Sequence, residues 1–458
     1  MGGRSFEAPE VQMLQQHAVT MAKRIARELT EPTEARKYGM DPRNSILLEG
    51  VSIVPWNDLS LSHGYPGIAL MFSELDRQFP DEGWDIHAFN YFQAMQEPLE
   101  GMGVHNLSLF SGVTGVALAV LTASRGGLRY KTLLQRLEEF LVAMWPAYFA
   151  RLLAQTQENV GATMQAYDVI EGLSGIGRYL LFRSDIPAMR AMLLDTLNYL
   201  VALTQPVTIN GHSVPGWYVP VERQYLESDR LQYPQGNFNV GMSHGIAGPL
   251  ALLSLAALHG VAVDGQREAM ERVASWLLQV QLRDSMGGYW PGRVSWAEQI
   301  NPDRQTSTAE EHHRAAWCYG TPGAARSLWL GGKALGEERL CGAAVDSLVD
   351  CLHRPVETWN IDSPTFCHGK AGLLQITRRM FQDSGDPRLT VHVDRLTQML
   401  LQGHAPTARF GFPDLEPANG QMRAVDKPGL LDGAAGVALV LLSTGATGPL
   451  WDSAFLLS

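Results

Sequence analysis

HGIAGPLALLSLAAL, residues 244–258, sets a polar residue before two glycines three positions apart, then continues as an apolar run. One Gly-x-x-Gly carries little information, but this arrangement occurs seven times. The copies are His63-Gly64-x-x-Gly67, Ser111-Gly112-x-x-Gly115, Glu171-Gly172-x-x-Gly175, His244-Gly245-x-x-Gly248, Tyr319-Gly320-x-x-Gly323, His368-Gly369-x-x-Gly372 and Asp432-Gly433-x-x-Gly436. Their first glycines lie 48 to 75 residues apart, a spacing typical of stacked helical units. Fourteen of the 45 glycines sit in these pairs, which leaves the remainder near the ordinary share of roughly 7%.

The runs GVALAVLTAS from Gly115 and GVALVLLSTG from Gly436 are apolar nearly all round, as in helices buried on every side. Between copies lie amphipathic stretches, YKTLLQRLEEFLVAMW from Tyr130 and REAMERVASWLLQVQL from Arg267, with helical period. One buried and one amphipathic helix per copy predicts an all-α fold of two layers. Inner helices without a wet face favour closure, so the expected architecture is an α/α toroid of seven inner and seven outer helices, one domain over residues 1–458. Each pair should open an inner helix. There, close approach of helix ends, or a backbone only glycine tolerates, must offset about 1 kcal/mol of helix propensity. Residues 205–240 break the pattern with Pro206, Pro215, Pro220 and the Asn210-Gly211 turn signal. They read as a loop or a small β-containing insertion, a candidate peptide-binding lip.

Composition excludes several classes. The 36 basic and 47 acidic residues give a net charge of −11, which opposes phosphate-neutralising nucleic-acid binding. Four cysteines in 458 residues make no disulfide framework and suit a reducing compartment. The start lacks a secretory apolar core. The most apolar window, Ile246–Val263, holds Pro249, Ser254 and His259, so a buried helix is expected there and no transmembrane segment. The expected location is the cytoplasm.

Cys318 and Cys367 each stand directly before the polar residue of a copy. If those copies are neighbours on one rim, Cys318, Cys367 and His368 converge, and two thiolates with an imidazole suit zinc with one open position. Cys341 and Cys351, on an intervening segment, read as core thiols. His63 reads as a hydrogen-bonded rim residue, and His312 and His313 as solvent-facing.

The strings YDVIEGLSG (167–175), GNFNVGMSHGIAG (236–248), RAAWCYGTPG (314–323) and CHGKAGL (367–373) resemble the bacterial lanthionine synthetase C family, the cyclases of lanthipeptide biosynthesis. With the seven glycine copies the resemblance covers the chain from about residue 50. The 45 residues before it carry no motif. The resemblance implies a toroid with one Zn2+ held by Cys318, Cys367 and His368. It also implies addition of precursor-peptide Cys thiols to dehydroalanine or dehydrobutyrine, giving thioether rings. His244 matches the family's acid/base histidine, Asp168 its acidic neighbour, and Arg314 and Tyr319 two further active-site residues.

Implied partners are a dehydrated precursor peptide and a dehydratase and exporter complex, which would place the protein peripherally at a membrane. The chemistry of the residues agrees. Arg314 suits an enolate, and His244 suits proton delivery with Asp168 favouring its charged form. Two alternatives remain beside this one. A prenyl-transferring zinc enzyme would need a clustered basic pocket, and no Lys/Arg cluster adjoins the rim residues. A non-catalytic binder of peptide or glutathione would tolerate replacement of Cys318 or Cys367.

Overall fold

Every glycine pair opens a helix in the structure, a computed structural model that describes residues 8–101, 106–158, 161–301, 313–418, 421–443 and 450–458. The seven are α1 (Tyr65–Gln78), α2 (Val113–Ala123), α3 (Leu173–Phe182), α4 (Ala247–Leu258), α5 (Thr321–Leu335), α6 (Lys370–Ser384) and α7 (Ala434–Leu442). The first glycine caps each helix except α4, where Ile246 does. All nine residues of α7 are buried. Helix α4 is likewise surrounded by protein for most of its length, and among the described residues no helix is long and apolar enough to cross a membrane.

Close approach explains most of the glycines. A Cβ on Gly115 would stand 2.1 Å from the carbonyl oxygen of Leu109 and 2.9 Å from Cβ of Leu61 in the preceding copy. On Gly323 it would meet the Trp317 carbonyl at 2.3 Å and Cβ of Met242 at 2.9 Å. Among the first glycines of the pairs that cap these helices, Gly320 alone has a positive φ, +101°, where other residues are strained.

The chain divides into two compact units, residues 1–140 with 361–452 and residues 141–360 with 453–458. In the first, α1 packs against α2 and α7, and α7 packs against α6. In the second, α4 packs against α3 and α5. The copies are also tied together by backbone. In the first unit the N–H of Cys367 donates to Leu431 (3.0 Å), that of Leu431 to Ser62 (3.1 Å), and that of Ser62 to Phe110 (3.3 Å). In the second, Val169 donates to Ser243 (2.9 Å) and Ser243 to Cys318 (3.3 Å). Except for Val169, each of these residues stands two positions before its copy's first glycine.

Outer helices follow the core helices: Trp84–Ala94, Lys131–Glu158, Pro187–Leu203, Gln266–Gln279, Glu338–His353 and Thr390–Gln402. The seventh comes from the motif-free start of the chain. Ala8–Glu28 packs against α7 and against Thr390–Gln402, burying Ala18, Ala22, Ile25 and Ala26. The last residues instead enter the second unit, where Phe455, Leu456 and Leu457 are fully buried. Trp317 Nε1 donates to the Phe455 carbonyl (3.0 Å), and the Arg326 guanidinium of α5 donates to that of Leu457 (2.9 Å from Nε).

The stretch 205–240 does contain strands. β1 (Ile46–Leu48) and β2 (Val51–Ile53) precede it; within it lie β3 (Val207–Ile209), β4 (His212–Val214), β5 (Tyr218–Val219) and β6 (Asn237–Asn239). After it come β7 (Leu282–Asp284), β8 (Gly287–Tyr289), β9 (Arg293–Ser295), β10 (Asp414–Ala418) and β11 (Gln421–Val425). β3 and β4 form a hairpin, while β5, β6 and β9 form an antiparallel three-stranded sheet. β10 pairs with β11, Asp414 opposite Val425. These pieces were only partly anticipated, because strands of two to five residues show no usable alternation.

Replacing Gly115 with Ala should lower stability by about 1–3 kcal/mol through overpacking. Gly342→Ala is the control: nothing lies within 4 Å of a Cβ there, inside the helix Glu338–His353, so it should stabilise by up to about 1 kcal/mol. Thermal denaturation of the two variants beside the parent, with opposite shifts expected, checks both.

Candidate active site

In the second unit the third, fourth and fifth copies bring four of the expected residues together. Asp168 is fully buried at the end of the turn Met164–Tyr167. Its Oδ1 accepts from the N–H groups of Glu171 and Gly172, both at 2.7 Å, at the start of α3. Its Oδ2 lies 2.6 Å from Nδ1 of His244. One carboxylate therefore caps a helix with one oxygen and holds a histidine with the other, and the helix end favours the anion.

Burial works against a charged His244. The hydrogen bond and the charge of Asp168, with Cys318 adding to them, outweigh burial and raise its pKa above the usual imidazole value. Because Nδ1 faces Asp168, Nε2 is the nitrogen available for proton exchange. Cys318 is buried, and its carbonyl receives both N–H and Oγ of Ser243, each at 3.3 Å, so the residue beside His244 is linked to the thiol residue.

Tyr319 follows, its ring centroid 6.4 Å from that of His244. Burial raises its hydroxyl pKa, opposed by Arg293. Asn239, the last residue of β6, donates to the Tyr319 oxygen at 3.3 Å, and the Arg293 guanidinium of β9 lies 5.4 Å from the Tyr319 ring. Arg293 also donates to Asp229 (2.8 Å). Arg314 lies at the opening of the same copy, where its carbonyl accepts from Thr321 (3.1 Å). Its Nε is buried and meets no acceptor among the described residues. A buried guanidinium donor of this kind calls for an anionic or carbonyl oxygen from a ligand.

In the first unit, Cys367 and His368 precede α6. His368 lies between two carboxylates: Nδ1 is 3.5 Å from Oδ1 of Asp432 and Nε2 is 3.6 Å from Oδ1 of Asp414. The ligand atoms of His368, Asp414 and Asp432 fall within 4.8 Å of one another. Lys427 is buried and donates to Asp414 (2.7 Å) and Glu416 (2.6 Å). Burial would lower its pKa, but the acids Asp432, Asp414 and Glu416 raise it.

The family follows from a comparison across the whole chain. A model of the family described as lanthionine synthetase C-like protein matches residues 55–456. The chain belongs to that family. It is 30% identical over 321 residues to the nisin biosynthesis protein NisC of Lactococcus lactis subsp. lactis, covering 70% of this chain and 73% of that protein. A solved structure of nisin cyclase matches with a TM-score of 0.72 and 26% identity, over 87% of this chain and 92% of that one. The fold class is therefore the α/α toroid, and this lanthionine synthetase C-like chain is a cyclase.

Several histidines behave differently from expectation. His313 is 3% exposed rather than solvent-facing. Its Nδ1 lies 2.9 Å from the Thr358 carbonyl, because the chain before Ala315 is drawn inward by the Ala315 N–H to Trp359 (2.9 Å). His312 lies outside the described residues. The His63 backbone N–H donates to Ser60 Oγ (3.3 Å), but its imidazole makes no hydrogen bond among the described residues: Nδ1 is buried without a partner and Nε2 stands 3.8 Å from Asp432. Burial pushes its pKa down to about 4 against the pull of Asp432. Cys351 matches its reading as a core thiol, with burial raising its pKa to about 12.

Asn239, Arg293, Asp414 and Lys427 were not foreseen. Asn239 lies within the GNFNVGMSHG string and could have been suspected. The other three lie outside every motif.

The His244–Asp168 pair predicts a pH signature. With His244 raised, its contribution to stability is complete below the usual imidazole pKa and is lost as pH climbs through the raised value. Asp168→Asn removes the charge that outweighs burial and leaves only the lesser pull of Cys318, which Arg293 opposes, so the pKa of His244 should fall below the usual value. Proton NMR titration of the His244 ring in both proteins reads the two shifts, and a variant that leaves the pKa unchanged would contradict the coupling.

Proposed function

We propose that this cyclase adds Cys thiols of a dehydrated precursor peptide to dehydroalanine or dehydrobutyrine residues of the same peptide, forming lanthionine and methyllanthionine rings. The observation that carries the reading is the buried Asp168 carboxylate 2.6 Å from His244, linked through Ser243 to Cys318. The proposed metal is one zinc ion, with Cys318, Cys367 and His368 as its protein ligands. The donor set fits zinc. Two thiols and an imidazole are its preferred ligands, and three of them leave a position for substrate. The carboxylates beside His368 are the outer partners that metal-bound histidines ordinarily have. When bound, the zinc would supply a substrate thiolate at neutral pH.

The remaining work falls to the chain's own residues. Sulfur–carbon bond formation at the β-carbon sends the alkene electron pair to an enolate, and Arg314, with its unmet buried Nε, provides the compensating charge. His244, charged and oriented through Nδ1 by Asp168, delivers the proton to the α-carbon from Nε2. Tyr319, held by Asn239, limits where the enolate can lie. The thiol proton is replaced by one on the α-carbon, so no oxidant or reductant is consumed. We further propose that the protein works in the cytoplasm with a dehydratase and an exporter, since its substrate must be dehydrated first and the ringed product then exported.

Zinc content and ring formation on a dehydrated precursor peptide test this reading. Cys318→Ala should lose both zinc and activity, whereas His244→Asn should keep zinc and lose about 10²–10⁴ in rate. Arg314→Gln should keep zinc and lose about 10²–10³. A Cys318→Ala protein that retains zinc and cyclisation would instead support a role in peptide or glutathione binding.

A further inference from the structure

The first unit contains a buried charge cluster that the reaction above does not use. Asp414 opens β10 and is completely buried. Both of its oxygens are committed: Oδ1 accepts from Ser363 Oγ (2.5 Å) and Thr365 Oγ1 (3.2 Å), and Oδ2 accepts from Lys427 (2.7 Å). Oδ1 also faces His368 Nε2 at 3.6 Å. On the far side of the ring, Asp432 is held less firmly. Its Oδ1 is buried without a hydrogen bond, 3.5 Å from Nδ1, and its Oδ2 is 3.8 Å from His63. Among the described donors, three anchor Asp414, whereas Asp432 Oδ1 has none and Lys427 reaches Asp432 through charge alone.

A histidine can give only one nitrogen to a metal, and the other nitrogen's hydrogen bond sets which one. An acceptor that is itself fixed by hydrogen bonds orients the ring better than one that can follow it. We infer that Asp414 is the positioning residue for His368, receiving its Nε2–H and leaving Nδ1 for the metal, with Lys427, Ser363 and Thr365 holding Asp414 in place. Lys427 has a distinct part in this. Without its cation, Asp414 would be a buried anion with only hydroxyl donors, which is costly. The β10–β11 hairpin then has a purpose: it carries Asp414 and Glu416, two positions apart on one strand, to the Lys427 ammonium.

This inference rests on the proposed zinc site, and two readouts separate its failure from that of the site itself. In the zinc-loaded full chain, NMR of 15N-labelled histidine should show His368 protonated at Nε2 and metal-bound at Nδ1. Zinc affinity, read by competition with a chromophoric chelator, should weaken about 10–100-fold in Asp414→Asn. It should weaken less in Ser363→Ala, which loosens Asp414 without removing it, and should change little in Asp432→Asn. The wild-type NMR needs no variant, so misfolding of Asp414→Asn would leave the question decidable. If zinc binds and is lost in His368→Ala, yet Nδ1 carries the proton or Asp432→Asn is the damaging change, the assignment of Asp414 is overturned and the site stands. If the wild type binds no zinc, both fall.

Discussion

The backbone hydrogen bond that one copy gives to the next is the constraint on which the rest of the molecule depends. It is made by the residue two positions before the first glycine, from Cys367 to Leu431 to Ser62 to Phe110 in one unit and from Ser243 to Cys318 in the other. Such a bond requires the helix starts to lie within about 3 Å of one another through their main chains, which leaves no space for side chains at the same level. The glycines answer that requirement, as Cβ of Leu61 against Gly115 and Cβ of Met242 against Gly323 illustrate. The residues beside the ladder, His63, His244, Tyr319, His368 and Asp432, are the polar positions of their copies. A repeated packing solution thus comes with a repeated set of polar positions.

The divided role of Asp168 shows how structure and chemistry share one residue. Its geometry gives one oxygen to the amides that open α3 and the other to His244. The arrangement is economical in a fully buried position, because a carboxylate there must satisfy several lone pairs. Two amides at the start of α3 donate to the same carboxylate, so the histidine is not its only partner. Gly320 plays a comparable double part, with its positive φ turning the chain between Arg314 and Thr321.

Much of the fold was legible because its signal repeats. Seven glycine pairs with apolar runs behind them locate α1 to α7 almost to the residue, and the amphipathic stretches at Tyr130 and Arg267 match helices Lys131–Glu158 and Gln266–Gln279. The outer helix Ala8–Glu28 was not assigned a place because its partner, α7, lies at the other end of the sequence. Local periodicity cannot name a distant neighbour. In the candidate site, the residues that could be singled out lie inside long motifs. Arg293, Asp414 and Lys427 were missed because each acts through a short strand or a turn whose position depends on tertiary packing. His313 was misread for the same reason: its polarity suggested water, while Trp359 and Thr358 draw that segment inward.

The pairing of Ala8–Glu28 with α7 spans some four hundred residues of chain, and it has a consequence for synthesis. A ribosome completes the amphipathic first helix long before the apolar surface it covers has been made. Until then its alanine and isoleucine face has no native partner, and α1 likewise waits for α7. Loop closure over such a distance is slow, and sticky surface exposed meanwhile invites aggregation or chaperone capture. The second unit is mostly contiguous in sequence, and its central helices α3 to α5 wait only for the short last segment that bonds to Arg178, Trp317 and Arg326. Newly made chains should therefore pass through a stage in which the middle of the protein is folded while its beginning is still held open.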